Sequence, residues 1–214
     1  MSRTPDPGTR ARILDAADRL LARHGFRRMT VGAIAEEAGV GKGSVYLHFV
    51  SKEEVALSCI DRMAESVGAG LERLAGQDGP ALPRLRAMLR ARVLERFDYA
   101  RRHARSIDEK LAVMRQAMLE RRAQQFDREA ATLARVISRG VELDEIRVVG
   151  PATAGHALVV ATNALLPYSL SVRELGQRAA LARRLDDVIT LLLAGLARQR
   201  AIGSRSVHRN PRTS

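Results

Sequence analysis

The sequence contains no tryptophan, and aromatic residues make up only 3% of it. A core of that composition has to be aliphatic, and Leu, Ala and Met are among the better helix formers. The single cysteine, Cys59, cannot close an internal disulfide or furnish a structural zinc site, which excludes a disulfide-stapled scaffold and points to a reducing compartment. The seven prolines fall mainly at the termini and at apparent breaks, leaving long stretches open to helix. The longest apolar run, Ala157 to Leu166, is interrupted by Thr162 and Asn163 and is too short to span a bilayer. No leading segment joins a basic start to an apolar stretch, so no signal peptide is expected, and the expected location is the cytoplasm, away from membranes.

Catalytic patterns are lacking as well. His24, His48, His103, His156 and His208 are scattered, with no H-E-x-x-H pair and no metal-ligand spacing. Cys59 has no neighbouring base that would make it a nucleophile. Gly41–Lys42–Gly43–Ser44 lacks the preceding strand and the spacing of a phosphate-binding loop. No catalytic residue, metal or cofactor is expected, and the protein does not read as an enzyme. His156, beside the apolar run, reads as a core histidine with its polar atoms satisfied.

Basic residues are in excess: the net charge is +12 and the pI about 11.2. The excess does not locate a polyanion-binding end. Residues 1–58 hold nine Lys/Arg against seven Asp/Glu, while the last 17 residues alone hold five Arg and no acid. The segment from Arg84 to Arg105 holds eight Arg against Glu95 and Asp98. Because Leu85, Met88, Leu89, Val93 and Phe97 recur there at helical spacing, it reads as a packed helix with a solvated basic face. Pattern, not net charge, has to carry the function.

Residues 1–8 read as a flexible arm broken by Pro5, Pro7 and Gly8. Ile13, Ala16, Ala17, Leu20 and Leu21 then fall on one helical face, with Thr9 as a cap and Gly25 at the stop. A second helix is predicted after Thr30, ended by Gly39, and a short third one from about Gly41 to His48 with Val45 and Phe49 inward. Ser51 and Glu54 form an S-x-x-E capping box. Longer helices are predicted at about 52–75, 81–103, 106–140, 151–168 and 173–199. The last carries a stripe of Leu181, Leu185, Val188, Leu192 and Leu196, widened by Ile189, Leu191 and Leu193. The tail from Ala201 is polar and Arg-rich, and reads as disordered.

The informative stretch runs from Met29 to Glu54: a helix, a glycine turn, and a second short helix, the geometry that lays one helix in a DNA major groove. Lys42, Ser44, Tyr46, Leu47 and His48 are the outward side chains of the second helix. They supply a cation, two hydroxyls and an imidazole for phosphate or base-edge contact. Gly41 and Gly43 allow backbone N–H groups close to phosphate.

These residues also resemble the TetR family of regulators. The resemblance runs through Ile13–Ala17, Gly25–Phe26, Thr30–Val31, Ile34–Ala35, Ala38–Gly39–Val40, Lys42–Gly43, Tyr46, Phe49 and Ser51–Lys52–Glu53, about a quarter of the chain. It implies that Thr30 caps the second helix and holds a phosphate, and that Lys52 adds a phosphate contact. Lys42, Ser44, Tyr46 and His48 would sit on the recognition helix. Gly41 departs from the Ser or Ala common there, and Leu47 stands where a polar residue is usual, which suits a thymine methyl.

The expected fold is all-α: a three-helix helix-turn-helix module at 9–55, then a larger helical body at 56–200 for effector binding and dimerisation, then a basic tail at 201–214. The width of the apolar faces at 151–168 and 173–199 suggests a homodimer. By resemblance, the regulator is a repressor on a palindromic site in double-stranded DNA, released by a small apolar ligand, with Phe97, Met114, Met118, Phe126 and Asn163 as candidate lining residues. The competing reading is an all-helical ligand-binding or structural protein with a non-specific basic surface.

Overall fold

The computed structural model describes residues 6–166 and 176–198, with backbone alone at Pro7 and 104–115. The arm up to Pro5, the ends of the two helices predicted to reach 168 and to begin at 173, and the tail lie outside the described residues. The described part is all-helical. Its elements are α1 (Pro7–His24), α2 (Val31–Ala38), α3 (Lys42–His48), α4 (Lys52–Ala75), α5 (Ala81–Arg102), α6 (Ala104–Glu142), α7 (Pro151–Asn163) and α8 (Arg178–Leu196).

The first helix begins earlier than its apolar periodicity suggests. Asp6, not Thr9, is the cap: its carboxylate accepts from the backbone N–H groups of Gly8 and Thr9 at 3.1 and 3.0 Å. Pro7 occupies the first turn, where its missing N–H costs nothing and its fixed φ suits the helix. Gly25 stops α1 at φ 81°. At the start of α4, Ser51 Oγ accepts from Glu54 N–H at 3.1 Å, and Glu54 returns a carboxylate oxygen to Val50 N–H at 2.6 Å. The capping box forms one residue wider than the sequence pattern implies.

Among the described residues, buried apolar side chains form two clusters. One gathers Ile13, Leu14, Ala17, Leu20 and Leu21 of α1, Phe26, Met29, Ile34, Val45 and Phe49, together with Val55 to Leu57 and Cys59 of α4. The other joins Val67 and Leu71 of α4 to the inner faces of α5, α6, α7 and α8. Helix α4 therefore contributes one end to each cluster. In α8 the buried stripe is Leu181, Leu185, Ile189 and Leu193. Val188, Leu192 and Leu196 lie on its half-buried shoulder, so the buried seam is narrower than the expected apolar face. Helix α8 is tied to α5 by Arg178 on Asp98, by Arg90 on Asp186, and by Arg86 on Thr190.

The basic face of α5 is not uniformly solvated. Arg92 and Arg96 are 0% and 2% exposed, beside Glu129 of α6 at 4%. Arg92 Nε donates to Glu129 at 2.6 Å, and its terminal nitrogens donate to Thr162 Oγ1 at 2.8 Å and Asn163 Oδ1 at 2.5 Å. Arg96 donates to the other Glu129 oxygen and to the Arg92 carbonyl. Burial pulls the Arg92 guanidinium down to about 10, against the pull of Glu129 and with the Arg96 charge adding to the fall. The local sequence does hold a sign of this. Leu85, Met88, Arg92 and Arg96 share one helical face, and a charged residue on a core face calls for a partner.

His156 is exposed, contrary to its expected place in the core. The buried face of α7 is Ala154, Gly155, Leu158, Val159 and Thr162, and position 156 points away from it. Among the described residues the buried histidine is His103, at the α5–α6 junction. Its Nδ1 lies 2.8 Å from the Tyr99 carbonyl oxygen, and its Nε2 lies 3.2 Å from Asp18 of α1.

Candidate nucleic-acid interface

Helix α2 is capped by Thr30, whose hydroxyl accepts from Ala33 N–H at 3.1 Å. It ends at Gly39, in the left-handed region with φ 65°, where a residue with a Cβ is strained. The chain then turns through Val40, half-buried against the core, and starts α3 at Gly41. Val45 and Phe49 are buried, and α3 packs against α1 and α2. The Arg10 guanidinium lies over the Phe49 ring at 5.2 Å. Arg19 and Arg23 of α1 each reach Glu37 of α2 at 2.7 Å, and the Arg19 bond, then the Arg23 bond, hold the Glu37 carboxyl below its ordinary range.

With two residues turned in, the opposite flank of α3 is turned out. Tyr46 and Leu47 are 57% and 61% exposed. Lys42 and Gly43 are exposed, Ser44 and His48 are half-buried, and Thr30 is exposed at the preceding helix start. A Cβ added at Gly41 or Gly43 would meet nothing within 4 Å, so packing does not demand these glycines.

Lys52 departs from the other members of the set. Its ammonium faces inward, 3.3 Å from the Met29 carbonyl oxygen and 3.5 Å from that of Phe26, over the Phe26 ring at 4.6 Å. It ties α4 to the loop between α1 and α2. The sequence motif marks Lys52 but does not distinguish a cation offered to a partner from one bonded within its own fold.

Four of the five candidate ligand residues have described side chains, and these fall in different surroundings. Phe97 is in the body core, and Met118 packs against the N-terminal cluster. Phe126 is surrounded by the guanidinium groups of Arg92, Arg96 and Arg122. Asn163 accepts from Arg92, which meets the requirement of a half-buried amide for a partner. The Met114 side chain lies outside the described residues. A cleft of about 440 Å³ instead lies between α4 and α6, over Ala64, Gly68 and Ala69 and beside Gln124, Gln125 and Glu129. It is bracketed by Asp61 with Arg121 and by Glu72 with Thr132. None of those four described residues lines it.

Fold and site together define an all-helical protein with an N-terminal helix-turn-helix. Residues 13–59 match the family described as bacterial regulatory proteins, tetR family. It is similar to the transcriptional regulator TtgR of Pseudomonas putida, with 41% identity over 58 residues. That match covers 27% of this chain and 28% of TtgR, so less than a third of the relative's length is spanned. A solved transcriptional regulator from Cytophaga hutchinsonii shares the fold, with a TM-score of 0.71 at 18% identity over 87% of this chain and 97% of that one. The SmeT–triclosan complex does so too, with a TM-score of 0.66 at 23% identity over 97% and 100%.

Proposed function

We propose that the protein is a DNA-binding transcriptional regulator of the cytoplasm, a homodimeric repressor that holds a palindromic operator and is released by a small-molecule effector. The observation that carries this reading is the outward flank of α3. Lys42, Gly43, Tyr46 and Leu47 stand open on a helix whose other side is anchored by Val45 and Phe49. A rod so fixed can enter a major groove without rearrangement. Tyr46, Ser44 and His48 suit the backbone, Leu47 suits a thymine methyl, and Lys42 and Thr30 suit phosphate. Residues 9–55 form the reading head in this scheme, and residues 56–200 the body.

The effector is proposed to occupy the α4–α6 cleft. Its volume falls in the range of small-molecule sites, and α4 begins in the head, so filling the cleft bears on the helix that carries the head. Polar and apolar surface line the cleft in similar measure, which favours an amphipathic molecule over the purely apolar one suggested by the resemblance. The triclosan complex of SmeT makes triclosan a sensible first probe.

The test is a salt titration on promoter DNA from the protein's own locus. A specific-to-nonspecific ratio of about 10³ or more is expected, and replacing Lys42 and Tyr46 by Ala should remove most of it while leaving the melting temperature unchanged. Equal affinity for all sequences, lost together as salt rises, would instead leave an all-helical protein with a merely basic surface.

A further inference from the structure

The glycine at position 32 has no backbone reason to be there. It is the second residue of α2 and is not among the glycines of positive φ, which are Gly25, Gly39, Gly79 and Gly176. In such a place alanine is the better helix former. What a side chain at 32 would meet is specific. An added Cβ would lie 3.0 Å from Lys42 Cε, 3.4 Å from Lys42 Nζ and 3.8 Å from Thr30 Oγ1. The space left by the missing side chain is the space occupied by the end of Lys42.

The two lysines of the motif differ in this respect. Lys52 is bonded to two carbonyls of its own fold, whereas Lys42 forms no hydrogen bond or ion pair among the described residues. Its ammonium rests across the first turn of α2, where the N–H groups of a helix start have no intrahelical partner. Thr30 Oγ1 accepts from Ala33 and keeps its own proton to donate. A cation, a hydroxyl and a helix start thus lie within a few ångströms of one another, the donor set a single phosphate diester takes.

We propose that Gly32 is a positioning residue: it leaves open the shelf on which the Lys42 ammonium lies beside Thr30, and so sets where the head grips the DNA backbone. The proposal rests on the DNA-binding reading above. Gly32 itself touches no duplex; it acts through Lys42. A methyl at 32 displaces the lysine end by a few tenths of an ångström, and a branched side chain fills the shelf.

The experiment compares operator binding by wild type, Gly32→Ala, Gly32→Val, Lys42→Ala and the Gly32→Val/Lys42→Ala pair over a range of salt, with a thermal melt of each. Gly32→Val is expected to lose affinity about as Lys42→Ala does, roughly tenfold on every sequence, and to lower the slope of log K on log salt by about one per bound head. Gly32→Ala should lose about threefold while melting no lower than wild type. The pair should bind no worse than Lys42→Ala alone, because the two changes remove one contact. Wild-type affinity and slope in folded Gly32→Val, or in Gly32→Ala if the valine form does not fold, would overturn the proposal. So would a glycine effect that persists undiminished on the Lys42→Ala background. Should wild type show no operator preference at all, the DNA-binding reading fails first and this inference falls with it.

Discussion

A lysine near a helix start can serve a partner or its own fold, and the difference is measurable. Lys52 stacks on Phe26 and bonds the carbonyl oxygens of Phe26 and Met29. Lys52→Met should therefore lower stability by about 1–2 kcal/mol, from a partly buried cation–π contact and lost bonds to a charged group. It should leave the salt slope of DNA binding unchanged in the folded protein; a slope reduced by one would return Lys52 to the phosphate contacts. Asp18 works at the same scale, tying α1 to the α5–α6 junction. Burial raises its carboxyl pKa, but the bond and charge of His103, the charge of Arg62 and the Tyr99 hydroxyl together bring it below its ordinary value. A depressed folded pKa gives stability that is present above the unfolded value and lost as pH falls through the folded one. Asp18→Asn should accordingly be less stable than wild type near pH 7. The urea midpoints of the two should converge as pH is lowered from about 5 toward 3, and a constant gap across that range would rule the carboxylate out as the cause.

At the scale of helices, α5, α6 and α7 are joined by a polar knot inside an apolar core. Two guanidinium groups share Glu129, with Thr162 and Asn163 completing the set. Glu129→Gln would leave both cations short of their counter-charge, and a loss of about 3–5 kcal/mol is expected by urea unfolding. Close approach of α6 and α7 depends on Gly155, where a Cβ would lie 2.5 Å from the Ala130 carbonyl oxygen and 3.0 Å from the Ala134 amide nitrogen. Backbone cannot yield as a side chain can, so Gly155→Ala should lower the melting temperature despite its better helix propensity; a rise would mean that α7 shifts freely on α6. Such features show what a sequence discloses. Short-range signals were readable: the Thr30 cap, the Gly39 turn, the inward Val45 and Phe49, and the limits of α4 all follow from spacing and local chemistry. Pairings distant in sequence were not. Nothing near Arg92 names Glu129 or Thr162, and nothing near Lys52 names the carbonyl of Phe26. The Asp6 cap was within reach, since Asp-Pro before a periodic run is a helix-start signal, but Thr9 competed with it.

For the molecule as a whole, one head presents one short rod, and a single rod reads too few base pairs for an operator. The body offers a means of pairing. Leu191 of α8 and Val160 of α7 are 77% and 55% exposed, beside the half-buried shoulder of Val188, Leu192 and Leu196. A two-fold axis through that face would bury the same residues on both copies, as an isologous interface requires. The polar links of α8 to α5 through Asp186, Thr190 and Arg178 occupy a different side of α8 and leave this face open. Two heads carried on one such dimer would have to meet successive major grooves, roughly 34–36 Å apart along the duplex. Replacing Leu191 and Val160 by Glu places four like charges across the axis while leaving the α8 core stripe intact. The double variant should sediment as a folded monomer at micromolar concentration, with an unchanged helical circular dichroism spectrum. Because its operator affinity then rests on one head, it should fall by several orders of magnitude, with about half the wild-type salt slope. If the variant remains a dimer, the pairing face lies elsewhere on the body; if it becomes a monomer yet keeps full operator affinity, the two-headed grip on DNA is wrong.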